Sequence, residues 1–347
     1  MLEQSPVSEG VAPNTIFIDW PKTPLVGCGF HQEIEKEVDL DYCQRHNILV
    51  ARRQIGGGAV YLNDGQIFYH VVVHKKTPSI PLNVADFYKV LLQAPIKTYR
   101  DLGIPAEYRP INDIKVGERK ISGNGAGLIE DAMMLCGNLI LTFDYDTMVK
   151  VLRVPEEKFR DKLVKSLRDW VTTVERELGS VPKREDCVNL LVKNFEETLN
   201  VKLVSEQLTD REKILIKELN VVYQTDQWLY MPAYRHPELT QHRGVKVAEG
   251  VYVVEAMHKA PGGLIRVTLE VVEKKIRDIL ISGDFWFIPQ QSLAELEKRL
   301  VGLDFDEKDL LKSINKFYRA YNIETPGVTP RDFVKSIMLA KQQIKDF

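Results

Sequence analysis

The sequence predicts an α+β protein: a mixed or antiparallel sheet with flanking helices, followed by a smaller α+β domain. Three observations carry this expectation. Short runs of alternating apolar and polar residues recur with glycine turns between them, as in Val116-Gly117-Glu118-Arg119. Amphipathic, capped stretches lie among those runs, so neither class of element dominates. Past about residue 235 the pattern changes to three strands in a meander and then two helices. A chain of 347 residues is long enough for two cores. The expected domains are residues 1–234 and 235–347.

Residues 1–13 are polar, contain Pro6, Gly10 and Pro13, and read as a tail or a frayed helix end. Thr15 to Trp20 alternates as a strand, and Pro24 to Gly29 reads as a second, glycine-ended one. It leads to His31 and Gln32, either ligand contacts or a polar loop. Asp39 to Asn47 is a short helix with acidic residues in its first turn. Gln66 to His74 reads as a strand buried on both faces. His70 and His74 would share a face of that strand about 13 Å apart, too far for one ion. Asn83 can cap a helix that runs to Leu102, before Gly103-Ile104-Pro105. Leu135 to Leu141 is the next strand. Helices follow at Asp144–Lys150, Glu156–Leu167 and Lys183–Leu199. Another, capped by Thr209 with Glu212 three residues on, runs to Tyr223. Trp228 closes the first domain, and 236–244 is a loop-rich linker. Strands at Val251–Met257, Gly263–Val272 and Ile276–Ile281 then precede helices at Ser292–Leu300 and Asp306–Tyr321.

Two stretches carry the chemistry. In Arg52-Arg53-Gln54-Ile55-Gly56-Gly57-Gly58-Ala59-Val60-Tyr61, two arginines lead into three glycines that open into a strand. Glycines in such a run cost backbone entropy, and they occur where a backbone must approach something closely or turn bare N–H groups to an anion. Each arginine can pair bidentately with a carboxylate or phosphate. The alternative is a glycine bulge at a sheet edge with two solvated arginines. The second stretch runs from Asn112-Asp113 through Arg119-Lys120-Ile121-Ser122-Gly123-Asn124-Gly125-Ala126-Gly127. A lysine beside such a segment can reach a phosphate held by backbone amides. Its order is neither that of a P-loop nor that of a dinucleotide fingerprint.

R-R-x-x-G-G-G-A-V-Y, then Asn112-Asp113, then Arg119-Lys120-Ile121-Ser122-Gly123, then Gly137-Asn138-Leu139-Ile140-Leu141 together resemble the lipoate-protein ligase A family, of the biotin/lipoate ligase fold. The resemblance extends through Ser166 to Thr173 and Trp228 into a C-terminal region like that family's accessory domain. It implies a ligase that converts lipoate and ATP to lipoyl-AMP and pyrophosphate, and then passes the lipoyl group to a lysine of an acceptor domain. The acceptor would be a dehydrogenase E2 subunit, a glycine-cleavage H protein or a similar lipoate-binding protein. The resemblance gives Lys120 the catalytic role in both half-reactions. It gives Arg53, Gly56, Gly57, Gly58, Ala59, Tyr61, Asn112, Asp113, Ser122, Gly123 and Ala126 to substrate and nucleotide, and Asp113 to Mg²⁺. At the level of the residues alone, Lys120 could be a solvated strand lysine with Lys115 or Arg119 the true ligand, and Asp113 could close an Asx-turn.

The chain departs from the family in three places. Its start is short, Leu62-Asn63-Asp64 stands where relatives carry His-Asp, and Cys136 stands where they commonly carry histidine. Asp64 either replaces the missing carboxylate or belongs to a different loop. Cys136 reads as a small packed residue, with no histidine in sequence beside it to activate a thiol. A transferase using a thioester or acyl-protein donor without ATP is the alternative function. A biotin ligase would carry G-R-G-R, which is absent.

Hydrophobic residues make up 44%, charged residues 28%, and the formal net charge is -2, so no basic field points to nucleic acid. Cys28, Cys43, Cys136 and Cys187 form no C-x-x-C pair, and no signal peptide is recognised. No apolar run spans a bilayer. A cytoplasmic monomer that binds no nucleic acid or membrane is expected.

Overall fold

The computed structural model of the chain describes residues 6–10, 12–78, 80–153, 160–241, 246–248 and 251–344. Its strands are β1 Thr15–Asp19, β2 Leu25–Cys28, β3 Leu49–Arg52, β4 Val60–Leu62, β5 Gln66–His74, β6 Glu107–Arg109, β7 Asp113–Val116, β8 Arg119–Ser122, β9 Asn124–Ile129, β10 Ala132–Ile140, β11 Lys246–Ala248, β12 Val251–Ala260, β13 Gly263–Val272 and β14 Lys275–Gly283. The α+β class is as the sequence implies.

The chain forms two compact units. The first comprises Met1–Gly27, Val38–Ala51 and Val60–Val222, and the second Cys28–Glu37, Arg52–Ala59 and Tyr223–Phe347. The arginine–glycine stretch and Trp228 are thus counted with the second unit.

In the first unit the central sheet runs β1-β5-β10-β9, with every pairing antiparallel. Ile67, Tyr69, Val71, Val73, Leu135 and Leu139 are buried. Tyr69 meets Phe195 of the helix Arg184–Leu199 edge-on. The opposite face, with Phe68, His70, Val72, Met134 and Cys136, is only half-buried. The expectation of a strand buried on both faces therefore fails for β5. Smaller three-stranded sheets run β3-β2-β4 and β6-β7-β8. The helix expected over 83–102 is two helices, Val84–Leu91 and Gln93–Asp101. Pro95 lacks the N–H that would bond Leu91, and its ring crowds that carbonyl, so the helix breaks at Leu92. Residues 156–159 of the helix expected at 156–167 lie outside the described residues, and Arg160–Trp170 is helical.

In the second unit β12, β13 and β14 form the meander, with β11 at its edge. Val267, Leu269, Ile279 and Ile281 pack in one core with Phe285, Leu296, Phe317 and Phe333. The helices are Ser292–Leu300, Glu307–Tyr321 and Pro330–Lys341. The last was not foreseen, although Thr329 and Asp332 close a capping box at its start. Met231–Arg235 is a short helix, and where a linker was expected at 236–244, Pro237–Gln241 is another, with 242–244 outside the described residues.

Candidate active site

Lys120 sits in the β7–β8 hairpin, whose turn needs the positive φ of Gly117. Its backbone is held from the far side by the Thr172 amide, which donates to the Lys120 carbonyl at 2.8 Å. Thr172 belongs to the Ser166–Thr173 segment singled out in the sequence, and this bond gives that segment a physical role. The neighbouring Arg119 pairs with Glu177 at 2.9 Å and so is occupied elsewhere. Lys120 Nζ lies 2.7 Å from Asp113 Oδ1, with both side chains about one-third exposed (36% and 30%). An ammonium and a carboxylate thus lie side by side where solvent, and hence a substrate, can reach them. Lys115, the other candidate lysine, is buried.

The glycine segment beyond Lys120 is held by a network of polar groups, most of them buried. Asn112 and Asn124 exchange side-chain amide donors for each other's backbone carbonyls. Tyr69 donates its hydroxyl to Asn124 Oδ1 at 2.5 Å. Burial drives the Tyr69 pKa far above the ordinary phenol range, so that hydroxyl keeps its proton. Ser122 donates to the Asn138 carbonyl at 2.6 Å, and the Gly123 amide donates to Asn138 Oδ1 at 2.8 Å. Asn138 Nδ2 in turn donates to Gln66 Oε1 at 2.9 Å. Ser122 and Ala126 are buried. The structure therefore brings Asn112, Asp113, Lys120, Ser122 and Gly123 together. The Ser122 hydroxyl and Gly123 amide are already engaged within the protein.

In the second unit the two arginines divide. Arg52 is buried, and its guanidinium donates to the carbonyls of Gly29, Phe30, Gln32, Trp228 and Leu229 at 2.6–3.0 Å. Burial lowers its pKa to about 10. It is a structural clamp, contrary to the expectation that both arginines could serve an anion. Arg53 is half-buried and donates to Gly58 O at 2.8 Å and Gly56 O at 3.3 Å. The close approach at the glycine run is to the chain itself. A Cβ on Gly56 would lie 2.7 Å from Phe285 O, and one on Gly57, at φ +94°, 2.9 Å from the Trp286 ring. Gly58 is different, since only Asp284 comes within 4 Å. Gly58 and Ala59 are half-buried, whereas Tyr61, in the first unit, is buried, which pushes its pKa up.

His31 and Gln32 are both buried and do not form an exposed polar loop. His31 is buried and stacked on Phe285 at 5.3 Å, and burial lowers its pKa to about 3. Gln32 Oε1 accepts the Gly29 amide at 2.9 Å. Asp64 lies in a turn where its backbone carbonyl accepts from Arg184. Among the described residues no group of three or more His, Cys, Asp or Glu could hold a metal. Asp113 offers one carboxylate, the donor set of a Mg²⁺ that takes its remaining ligands from substrate phosphates and water. Cys136, expected to be packed, is instead half-buried and directly opposite His70 in the β10–β5 register.

Residues 4–196 match the family model of the lipoyl protein ligase A/B catalytic domain, and residues 252–337 that of the bacterial lipoate protein ligase C-terminus. The chain belongs to the lipoate-protein ligase family. Lipoate-protein ligase A subunit 1 of Thermoplasma acidophilum is 32% identical over 58% of this chain and 78% of its own length. Lipoate–protein ligase 1 of Staphylococcus aureus is 29% identical over 88% of this chain and 86% of its own. An octanoyltransferase of Halalkalibacterium halodurans is 27% identical over 64% of this chain and 88% of its own. Among solved structures, a bipartite ligase described with its E2 lipoyl domain, from T. acidophilum, aligns at TM-score 0.57 and 30% identity over 65% of this chain and 89% of that one. A lipoate-protein ligase A bound with ATP aligns at 0.53 and 28% over 62% and 85%. The family is one of enzymes, and its members here include both ligases and octanoyltransferases. No helix among the described residues is long and apolar enough to cross a membrane.

Proposed function

We propose that the protein is an ATP-dependent lipoate-protein ligase. The observation that carries this is the match of residues 252–337 to the ligase C-terminus, in a chain that also holds the exposed Lys120–Asp113 pair. In the first half-reaction a lipoate carboxylate oxygen attacks the α-phosphorus of ATP, and the bond to pyrophosphate breaks. Charge gathers on the phosphoryl oxygens, and the Lys120 ammonium, carried on a backbone that Thr172 holds, would meet it. Asp113 would hold a Mg²⁺, which supplies charge neutralisation between the phosphates when bound. In the second half-reaction an acceptor lysine amine attacks the acyl carbonyl, polarised by Lys120, and AMP leaves. By resemblance to the family, Asn112, Ser122, Gly123 and Ala126 serve the nucleotide and adenylate. Arg53, Gly56, Gly57, Gly58, Ala59 and Tyr61 serve the acyl substrate and its phosphate. The acceptor would be an E2 lipoyl domain, a glycine-cleavage H protein or a similar carrier, met by a cytoplasmic monomer.

The test is the intact mass of a purified lipoyl domain after incubation with the protein, lipoate, ATP and Mg²⁺. One added lipoyl group that needs ATP and is lost with Lys120→Ala is the expected result. Transfer only from an acyl thioester, without ATP and unchanged by Lys120→Ala, would make the protein an acyl transferase.

A further inference from the structure

The half-open face of the central sheet holds a second group of reactive side chains that the ligase chemistry does not use. Cys136 and His70 are cross-strand neighbours on β10 and β5. His70 Nε2 lies 3.5 Å from Asp19 Oδ1 on β1. A thiol, an imidazole and a carboxylate thus stand in a row across three adjacent strands. The His70 side chain is 29% exposed and Asp19 48%, so the row is open to a ligand. Burial alone would lower the His70 pKa, but the Cys136 sulfur and the Asp19 carboxylate outweigh it and hold the ring protonated well above the ordinary imidazole range. The other three cysteines are buried, and burial raises their pKa, Cys28 to about 12 and Cys43 to about 11. They are inert by comparison.

The surroundings of this row suit an apolar chain. Phe17 faces His70 from β1 and is 45% exposed, while Phe68 and Met134 flank the row on β5 and β10. On β9 the residues opposite Cys136 and Met134 are Gly125 and Gly127, which place no side chain over the face. The row also has a defined position relative to Lys120. Asn138 accepts the Gly123 amide, and Lys120 Cε would come within 3.9 Å of a Cβ on Gly123. Cys136 is two residues from Asn138 on the same strand, hence on the same face and about 7 Å farther along. A medium-length acyl chain whose carboxylate lies at Lys120 and whose tail follows this face brings the tail, not the carbonyl, to Cys136.

We propose that Cys136, with His70 as proton donor and Asp19 orienting that ring, opens the dithiolane of bound oxidised lipoate by thiol–disulfide exchange. The inference rests on the ligase reading for the position of the carboxylate. The Cys136 sulfur attacks one ring sulfur, a new S–S bond forms, and the ring S–S bond breaks. The departing sulfur takes a proton from His70, which regains one from the Cys136 thiol. One disulfide replaces another, so no external oxidant or reductant enters. The freed lipoyl thiol can attack back, reclose the ring and release Cys136, which makes the link reversible. A fatty acid of the same length has no disulfide to exchange, so the device distinguishes lipoate from octanoate by chemistry that an apolar pocket lacks.

The test uses the full chain, fully reduced and then freed of reductant, with oxidised lipoate and neither ATP nor acceptor. N-ethylmaleimide is then added to trap the opened lipoyl thiol. Intact mass and peptide mapping should show one lipoate, alkylated at its free sulfur, attached to Cys136. The adduct should be removed by dithiothreitol, absent with octanoate and absent in Cys136→Ser. It should fall by about tenfold or more in His70→Asn, the scale of a lost proton donor. No adduct on the native chain, or an equal yield from Cys136→Ser, would overturn the proposal. Failure of the ligase reading shows separately, as an unmodified lipoyl domain in the ATP assay.

Discussion

Lys120 Nζ and Asp113 Oδ1 face each other at 2.7 Å across the β7–β8 hairpin, both about one-third exposed. An ion pair this exposed contributes at most about 1 kcal/mol to stability. If it is retained for chemistry, Lys120→Ala should leave the melting temperature nearly unchanged. The same variant should lower the rate of pyrophosphate release from lipoate and ATP by about 10²–10³-fold, the scale of a lost oxyanion partner. Loss of folding in parallel with activity would show that the pair is structural.

Asp113 can be tested apart from its partner. Asp113→Asn keeps the shape but removes the charge that Asp113 would offer to a cation. The Mg²⁺ concentration for half-maximal ligation should rise by about tenfold or more, and chelation should abolish ligation by the native chain. Titration of Mg²⁺ against initial rate measures this. An unchanged midpoint would place the metal wholly on the nucleotide.

Arg52 and Arg53 are adjacent but should respond in opposite ways. Arg52 ties five carbonyls together through a planar fork, which a lysine's point charge cannot reproduce. Arg52→Lys should cost about 3 kcal/mol or more in urea unfolding, since several buried acceptors lose their donor. Arg53→Lys should fold normally and bind lipoate more weakly, as read by calorimetry.

The glycine run separates in the same manner. Gly57→Ala must hold φ at +94° and displace the Trp286 ring, at a cost on the order of 2–3 kcal/mol. Gly58→Ala meets nothing nearer than 3.8 Å and should unfold like the native chain. Any loss of lipoate or ATP affinity in Gly58→Ala therefore reports a ligand at that position, and unchanged affinity removes Gly58 from the site.

What the sequence disclosed follows from how far apart the interacting residues are. Asn83 and the Thr209–Glu212 pair cap their helices as expected, because a cap is settled within four residues, and Asp39 and Asp144, expected only at the starts of their helices, cap them as well. The Lys120 hairpin was legible for the same reason. The break at Leu92 was also local, and Pro95 announced it, but the apolar stripe running through both helices hid it. The Arg52 clamp joins residues 176 and 177 apart in the chain, and no local pattern encodes it. Cys136 meets His70 only through strand register, which is set by the whole sheet. Ser122 was expected as a ligand contact and Asn138 only as a strand residue, because the hydrogen bonds that join them with Gly123 and Asn124 depend on tertiary placement.

His236 should make the second unit sensitive to alkali. Its ring lies between Asp278, at 2.9 Å, and the buried Glu297, at 3.3 Å. Burial acts to lower its pKa, but the two carboxylates prevail and raise it from 6.5 to about 9. The folded state therefore holds a proton that the unfolded chain gives up near pH 6.5. That stabilisation, up to about 3 kcal/mol, is complete below pH 6.5 and is lost as the pH rises to about 9. His70, whose pKa is also raised, adds a term of the same sign. The informative quantity is thus the difference between the native chain and His236→Gln. The native chain should lose the larger share of its stability between pH 6 and pH 9.5, with His236→Gln already weaker at pH 6. Parallel curves would mean that Arg235, 3.2 Å from Glu297, neutralises that carboxylate without help from the histidine.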